Sequence, residues 1–374
     1  MSERLAPPVR GTGVVDLLKA LACSLIVLHH LALYGPMSDH ADDLFPVFFD
    51  GLAQHGRLAV QVFLVLGGYL AARSFSTMGL PCVAGPAGPG GAELLRMAAR
   101  KIAQRYVRLA VPLWLALVLA VLCNALADHW IDHHSISAPP QFWQALLHLV
   151  MLQDIMGHEA LSAGIWYVSV DFQLFALFTV LVMLAQLTRH PQRNLVVMVL
   201  TLLALSAFFF NRDPQWDAYG AYFWVSYGLG VVVGLKARSR WLLVAVGLVV
   251  LSCLWEPRIR LLVALATVGA LWAWQTRLAT WMTTLMATLL PASRALSRIS
   301  YSVFLVHFPI ALVVNALWVT YLPHQPFVQL IGVLTAFKLS LVGGWLFHEH
   351  LEQPLLNRLQ ERLFARKGPV SRVA

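Results

Sequence analysis

"KALACSLIVLHH", residues 19–30, places a lysine at one end of an apolar run and two histidines at the other. A helix of about 20 mostly apolar residues crosses the hydrocarbon core of a bilayer, and this run lies inside such a stretch. Lys19 and His30 are three helical turns plus about 20° apart, so they share one face, separated by about 16 Å, while His29 points about 100° away. Ionisable groups within a span normally face a protein interior or a water-filled cavity.

The composition of the whole chain is that of a membrane protein. Its 374 residues are 59% hydrophobic and 12% charged, and the mean hydropathy is +0.69. Soluble domains are close to half apolar and a quarter charged. We therefore predict an all-α polytopic membrane protein. The net charge of +9 does not indicate a nucleic-acid partner, because basic residues beside membrane spans set topology.

Apolar stretches of spanning length recur along the chain. The break "EPRIR" (256–260) separates the two shortest stretches. We predict about ten transmembrane helices, near 13–34, 56–76, 107–127, 165–187, 194–211, 218–236, 240–255, 259–275, 297–319 and 327–349.

The distribution of basic residues predicts the orientation of these spans. If residue 1 is cytoplasmic and ten spans alternate, 21 lysines and arginines fall on the cytoplasmic side and four on the outer side. Such a bias follows the positive-inside rule and places both termini in the cytoplasm. We expect residues 1–374 to form a single transmembrane domain. A Gly/Pro-rich flexible cytoplasmic loop (79–92) and a basic cytoplasmic tail (350–374) complete it.

Two interpretations of the polar groups in the first span remain open. Asp16 precedes Lys19 by one turn, so the two side chains could simply pair, and His30 could hydrogen-bond a neighbouring helix. Alternatively the shared face is functional, since a histidine with an unperturbed pKa near 6.5 suits general base catalysis.

Six segments, in order, resemble the membrane-bound acyltransferase family 3. The first span, "VDLLKALACSLIVLHH" (15–30), is similar to the family pattern LDxLRGxAxxxVxxxH, with Lys19 at the arginine position and His30 at the histidine position. The most specific match is "LSRISYSVFLVHFPI" (296–310), with Ser300, Tyr301 and His307. The others are "AVQVFLVLGGYL" (59–70), "RYVRLAVPLW" (105–114), "GIWYVSVDFQLF" (164–175) and "LEQPL" (351–355).

The resemblance implies an O-acyltransferase that modifies cell-surface or periplasmic glycans. The donor would be a cytoplasmic acyl-CoA, acetyl-CoA first of all, and no cofactor would be bound permanently. The acceptor would be a hydroxyl of a glycan or another molecule. The expected location is a bacterial inner membrane, where the protein would act alone in the lipid bilayer or with a separate periplasmic transferase.

The same resemblance implies roles for the matching residues. His30 would be the general base or a transient acyl acceptor, and Asp171, placed towards the outer side, would orient it. Lys19 would bind the donor's carbonyl or a phosphate. Arg105 and Arg108, at the cytoplasmic mouth, would receive the nucleotide end of the donor, although a purely topological role is an equal alternative.

Other residues are interpreted as support for substrate or structure. No metal site is predicted, because "ADHWIDHH" (127–134) resembles a solvated outer loop and "HEHLEQ" (348–353), which we place at the membrane edge, lacks zinc-ligand spacing. The supporting residues are Asp16, Trp166, Tyr301, His307 and Glu352.

The sequence departs from the family pattern at three positions. Lys19 replaces arginine, Gly67 replaces serine and Asp171 replaces glutamate. A lysine lacks the planar fork with which arginine binds carboxylate or phosphate bidentately. The departures are compatible with an altered substrate or with an inactive structural member. A transporter or flippase without chemistry is a further alternative, since it also needs ionisable groups in a polar path.

Overall fold

The computed structural model describes residues 13–77, 90–236, 239–275 and 288–364, and within these ranges the chain is helical without β-strands. The predicted loop 79–92 lies outside the described residues up to residue 89, and so does the end of the tail from residue 365. The helices are α1 Gly13–Tyr34, α2 Pro36–Ala41, α3 Pro46–His55, α4 Ala59–Thr77, α5 Gly91–Asp128, α6 Phe142–Leu149, α7 Trp166–Gln186, α8 Pro191–Phe208, α9 Gly220–Gly234, α10 Ser239–Trp255, α11 Ile259–Trp274, α12 Leu290–Tyr321, α13 Pro326–Phe347 and α14 Gln353–Phe364.

The helices confirm an all-α multi-pass membrane protein. Within the described ranges, seven helical segments are long and apolar enough to cross a bilayer: 13–34, 46–75, 91–128, 166–186, 191–212, 290–321 and 326–364. Three shorter apolar helices, α9, α10 and α11, coincide with the predicted sixth, seventh and eighth spans. The span count of ten and the cytoplasmic location of both termini stay predictions.

Helices α4 and α9 pack with their backbones in direct contact. A Cβ atom added at Gly68 would lie 2.0 Å from the Tyr227 carbonyl oxygen, and one at Gly230 would lie 1.9 Å from the Val65 carbonyl oxygen. Gly230 and Gly234 form a GxxxG pair, a spacing that allows two helices to approach closely. Helices in a bilayer associate through such close packing, because the lipid around them is as apolar as their own side chains. This contact holds α4 beside the rest of the bundle.

Helix α1 is held by α12 along its length. The Ser297 hydroxyl donates to Asp16 at 2.8 Å near the beginning of α1, and the imidazoles of His30 and His307 meet near its end. Helix α12 is tied in turn to α5, because the Tyr301 hydroxyl donates to the Leu109 carbonyl at 2.7 Å.

Three of the four arginines assigned to the outer side have partners within the protein. Arg258 donates to the Ala207 carbonyl at 2.8 Å and to Asn211, and Arg260 also donates to Asn211. The last carbonyls of a helix have no partner within it, and Arg258 satisfies one of those of α8. Arg212 forms an ion pair with Glu256 at 3.0 Å. These contacts give basic residues a structural role on a side where topology does not require them.

The segment 129–165 begins with exposed side chains at His129, Asp132 and His134 and then returns into the bundle. The Leu149 carbonyl accepts hydrogen bonds from the Tyr106 hydroxyl at 2.7 Å and from the Trp114 indole at 3.0 Å. Tyr106 precedes the end of α5 by 22 residues, which is about 33 Å of helix. Phe142 and Trp143 on α6 remain 75% and 65% exposed, as expected of side chains that face lipid. We call residues 129–165 the re-entrant segment.

We predict that Gly68→Ala destabilises the protein, because its methyl group cannot fit against the Tyr227 carbonyl. Overpacking of this kind costs about 1–3 kcal/mol. The matched control is Gly247→Ala in α10, where a Cβ meets nothing within 4 Å. Thermal unfolding in detergent should show a lower Tm for Gly68→Ala and an unchanged or higher Tm for Gly247→Ala. Equal Tm values would contradict the backbone contact between α4 and α9.

Candidate active site

Helix α1 is continuous from Gly13 to Tyr34, so Lys19 and His30 share one face as the sequence predicted. Both side chains are partly buried. Lys19 lies six residues after the beginning of α1 and His30 lies four residues before its end. The shared face therefore carries a cation and an imidazole at depths about 16 Å apart.

His30 is paired with His307 of α12. The His30 Nδ1 atom lies 2.7 Å from His307 Nε2, and the two rings are nearly parallel, with centroids 5.0 Å apart. His307 is fully buried, whereas His30 keeps partial exposure. His29 hydrogen-bonds elsewhere, since its Nδ1 atom contacts the Leu52 carbonyl at 2.8 Å, although its ring centroid lies 5.2 Å from that of His30.

Gly164 of the re-entrant segment lies directly against the His30 ring. Its φ of +84° is in the left-handed region that favours glycine, and a Cβ there would be 3.1 Å from His30 Cε1. Tyr34 and Phe308 contact His30 on its other sides, with ring centroids 5.7 Å and 6.4 Å from the imidazole. The imidazole thus lies in a wall built from α1, α12 and the re-entrant segment. Gly164 was not identified from the sequence, because a single glycine carries no signal of what it will contact.

Farther inside the re-entrant segment, polar side chains are buried against α7. The Gln153 amide donates to Asp154 at 2.6 Å and to the Ser169 hydroxyl at 2.8 Å. Burial raises the pKa of the Asp154 carboxyl above its usual value, although the hydrogen bond from Gln153 opposes the shift. These bonds anchor the segment to α7 just before it reaches Gly164.

Asp171 pairs with Arg105, and this corrects the expectation that it orients His30. The Arg105 guanidinium forms an ion pair with the Asp171 carboxylate and lies 5.3 Å above the Phe175 ring. The partner that His30 contacts is His307. Arg105 lies about 35 Å along α5 from its C-terminal end at Asp128, so α7 must begin deep in the bundle for the two residues to meet. The expectations that Arg105 lies at the cytoplasmic mouth and Asp171 towards the outer side therefore do not both hold.

Lys19 and Arg108 lie near this ion pair without partners of their own. Among the described residues, neither cation has a hydrogen bond or an ion pair. Lys19 interacts electrostatically with Asp16 and Asp171, and Arg108 interacts with Glu352 and Asp171. Asp16 accepts a hydrogen bond from Ser297 and forms no ion pair with Lys19, so the two do not simply pair. We call Lys19, Arg105, Arg108 and Asp171 the inner cluster.

The three departures from the family pattern belong to this one place. Lys19 and Asp171 are members of the inner cluster, and a Cβ at Gly67 would lie 3.4 Å from Asp171 Oδ1. That distance is ordinary contact, so a serine would place its hydroxyl beside the carboxylate. All three departures therefore alter the inner cluster, whereas His30 and His307 both match the family pattern.

The remaining candidates have structural partners. Glu352 is buried in a π-helical turn, His348–Glu352, where it accepts from the Ser302 hydroxyl and from His348 Nδ1 at 3.0 Å. His348 is itself buried. Trp166 begins α7 and stacks on Phe223 with centroids 5.5 Å apart.

We predict that Asp171→Asn destabilises the protein by about 3–5 kcal/mol, because it leaves the Arg105 charge without its partner. A double variant, Asp171→Asn with Arg105→Gln, should recover part of the loss. Glu349→Gln is the control, since it breaks the exposed ion pair with Arg298 and should cost at most about 1 kcal/mol. Unfolding in detergent measures the stability of all three variants. Similar losses of stability for Asp171→Asn and Glu349→Gln would contradict a buried ion pair between Arg105 and Asp171.

Comparison with known proteins identifies the family. A family model described as an acyltransferase domain matches residues 13–349. The "Regulator of hypoxia-inducible factor 1" of Caenorhabditis elegans is 23% identical over 222 residues, which cover 54% of this chain and 40% of that protein. The chain therefore spans less than half the length of that relative. No solved structure matches. Because the family model covers most of the chain, the protein belongs to the membrane-bound acyltransferase family 3.

Proposed function

We propose that the protein is an integral membrane O-acyltransferase that moves an acetyl group from cytoplasmic acetyl-CoA to a hydroxyl of a cell-surface or periplasmic glycan. Family membership supplies acyl transfer; the donor, the acceptor and a bacterial inner membrane are parts of the proposal. The observation that carries it is the shared face of α1. A partly exposed imidazole and the Lys19 ammonium lie on that face about 16 Å apart, and Arg105 and Arg108 of α5 lie near Lys19.

The inner cluster is suited to the anionic end of an acyl-CoA. Its one carboxylate is paired with Arg105, and Lys19 and Arg108 form no ion pair among the described residues. Asp16 and Glu352 interact with these two cations electrostatically without contacting them. Lysine and arginine side chains bind phosphate by charge and hydrogen bonds. Lys19 lies about 16 Å from His30 along α1, so it cannot contact the thioester carbonyl that reacts there. Of its two expected roles, phosphate binding is the one compatible with catalysis at His30.

The reaction at His30 is a single acyl transfer. His30 Nε2 takes the proton of the acceptor hydroxyl, and the resulting oxygen nucleophile attacks the thioester carbonyl carbon. An ester bond forms, the carbon–sulfur bond breaks, and CoA leaves as a thiolate that takes up a proton. General base catalysis of this kind accelerates a reaction by about 10²–10⁴-fold. Transient acylation of the imidazole is the alternative course with the same products.

We predict that His30→Gln abolishes acetylation, with a rate loss of at least about 100-fold. The assay is mass spectrometry of surface glycans from a deletion strain complemented with each variant. The matched control is His40→Gln on α2, since His40 stacks on His324 and does not contact His30. Membrane levels of each variant are compared by immunoblot. Full acetylation by His30→Gln would reject the catalytic role.

The same assay tests the class of protein. Deletion should remove an acetyl group from an envelope glycan, and purified wild type in liposomes should release CoA from acetyl-CoA when that glycan is added. If deletion changes glycan export but no acyl group, and liposomes move glycan without consuming acetyl-CoA, the protein is a transporter and the proposal fails.

We predict that Gly164→Ala lowers the transfer rate by about tenfold or more, because its methyl group displaces the His30 ring. Gly157→Ala is the matched control. Gly157 also has a left-handed backbone, with φ of +71°, but a Cβ there meets nothing within 4 Å. Both variants therefore carry backbone strain of about 1–2 kcal/mol, and only Gly164→Ala should lose activity beyond its loss of stability. Equal activities would place Gly164 outside the reacting site.

A further inference from the structure

We propose that His307 is the positioning residue for His30: it fixes the tautomer in which His30 carries its proton on Nδ1 and leaves Nε2 free to act as the base. The catalytic part of this inference rests on the proposed function. The tautomer itself follows from the hydrogen bonds around two imidazoles, whose residues are 277 positions apart in the chain.

The first step concerns the proton of His307. Its Nδ1 atom lies 2.8 Å from the Phe304 carbonyl oxygen and 3.1 Å from the Val303 carbonyl oxygen. A carbonyl oxygen only accepts hydrogen bonds, so Nδ1 must carry the hydrogen that both share. The backbone of α12 therefore decides which nitrogen of His307 is protonated.

The second step concerns its charge. His307 is 0% exposed, and among the described residues no carboxylate forms an ion pair with it or with His30. A buried imidazolium without a counter-ion is unfavourable, so His307 is neutral. A neutral imidazole has one N–H, and that hydrogen is on Nδ1. Its Nε2 atom is consequently an acceptor.

The third step transfers this constraint to His30. His30 Nδ1 is 2.7 Å from the accepting His307 Nε2, so His30 Nδ1 must donate. His30 is then neutral with a lone pair on Nε2, the form that can take a proton from a hydroxyl. In the described part of the structure Nε2 has no hydrogen-bond partner, and the side chain is partly exposed.

The pair also accommodates the charge that catalysis creates. When His30 Nε2 takes the acceptor's proton, the positive charge develops on the partly exposed His30 ring, whose Nδ1 continues to donate to His307 Nε2. A hydrogen bond from a charged donor is stronger than one from a neutral donor, so this bond stabilises the imidazolium while His307 stays neutral. His30 then releases its new proton to the departing thiolate. His307 thus performs the task for which an acidic partner was expected, without a buried carboxylate.

The direct test is nitrogen NMR of the full-length protein in lipid nanodiscs with ¹⁵N-labelled histidine. His30→Gln and His307→Gln assign the two rings by difference among the 14 histidines. We expect both rings to be neutral and protonated on Nδ1. A His30 protonated on Nε2 would overturn the inference, and this readout needs no acyl-transfer activity.

The second test measures the acyl-transfer kinetics of His307 variants. His307→Leu removes the acceptor and should lower kcat by about 10²–10⁴-fold while leaving KM for acetyl-CoA unchanged, because the inner cluster is intact. His307→Gln can present its amide oxygen to His30 Nδ1 and should recover part of kcat. His30 should also lose its single tautomer in the spectrum of His307→Leu. A merely structural role predicts no rescue by glutamine and no tautomer change.

The outcomes separate this inference from the proposed function. If His30 is required for transfer but His307→Leu keeps its kcat and the His30 tautomer, the positioning role is wrong and the function stands. If wild type transfers no acyl group but the NMR spectrum has the expected tautomers, the function is wrong and the hydrogen-bond assignment stands.

Discussion

The ion pair between Arg105 and Asp171 determines how deeply α7 sits in the bundle. Arg105 lies far from the outer end of α5, and Asp171 lies close to the beginning of α7. Their contact requires the chain to return into the membrane region before α7 begins. Because an unpaired charge there is costly, this pairing strongly restrains the relative positions of the two helices.

The re-entrant segment follows from that constraint. It has to satisfy its backbone and polar groups inside the bundle, and it does so through the Leu149 carbonyl, Gln153 and Asp154. The segment then reaches α7 through Gly164, whose left-handed backbone brings it against His30. The position of α7 that the Arg105–Asp171 ion pair requires therefore brings Gly164 against the His30 imidazole near the C-terminal end of α1.

The two ends of the α1 face are built on different electrostatic principles. The inner cluster has an excess of positive charge, which an anionic ligand balances in our proposal. The histidine pair is neutral, so it needs no counter-ion in a low-dielectric setting, where an isolated carboxylate would be costly. All three departures from the family pattern concern the inner cluster. In our proposal they therefore alter how the donor is held and leave the base unchanged.

The properties that the sequence by itself determined are those written in local patterns. Apolar runs and the placement of basic residues indicated a helical membrane protein, and the eleven-residue spacing of Lys19 and His30 put both side chains on one helix face. Six ordered segments also indicated the family. Hydropathy and helical period depend only on neighbouring residues, which explains why these predictions hold.

Only the tertiary structure decided the partners. The sequence assigned Asp171 to His30, whereas packing pairs Asp171 with Arg105 and His307 with His30. The sequence also did not indicate that the chain returns into the bundle after α6, and it assigned no role to Gly164. Partners across a bundle depend on the depth and rotation of each helix, which result from the packing of all of them, from glycine contacts such as Gly68 on α9 to the buried ion pair. No local pattern encodes those two variables.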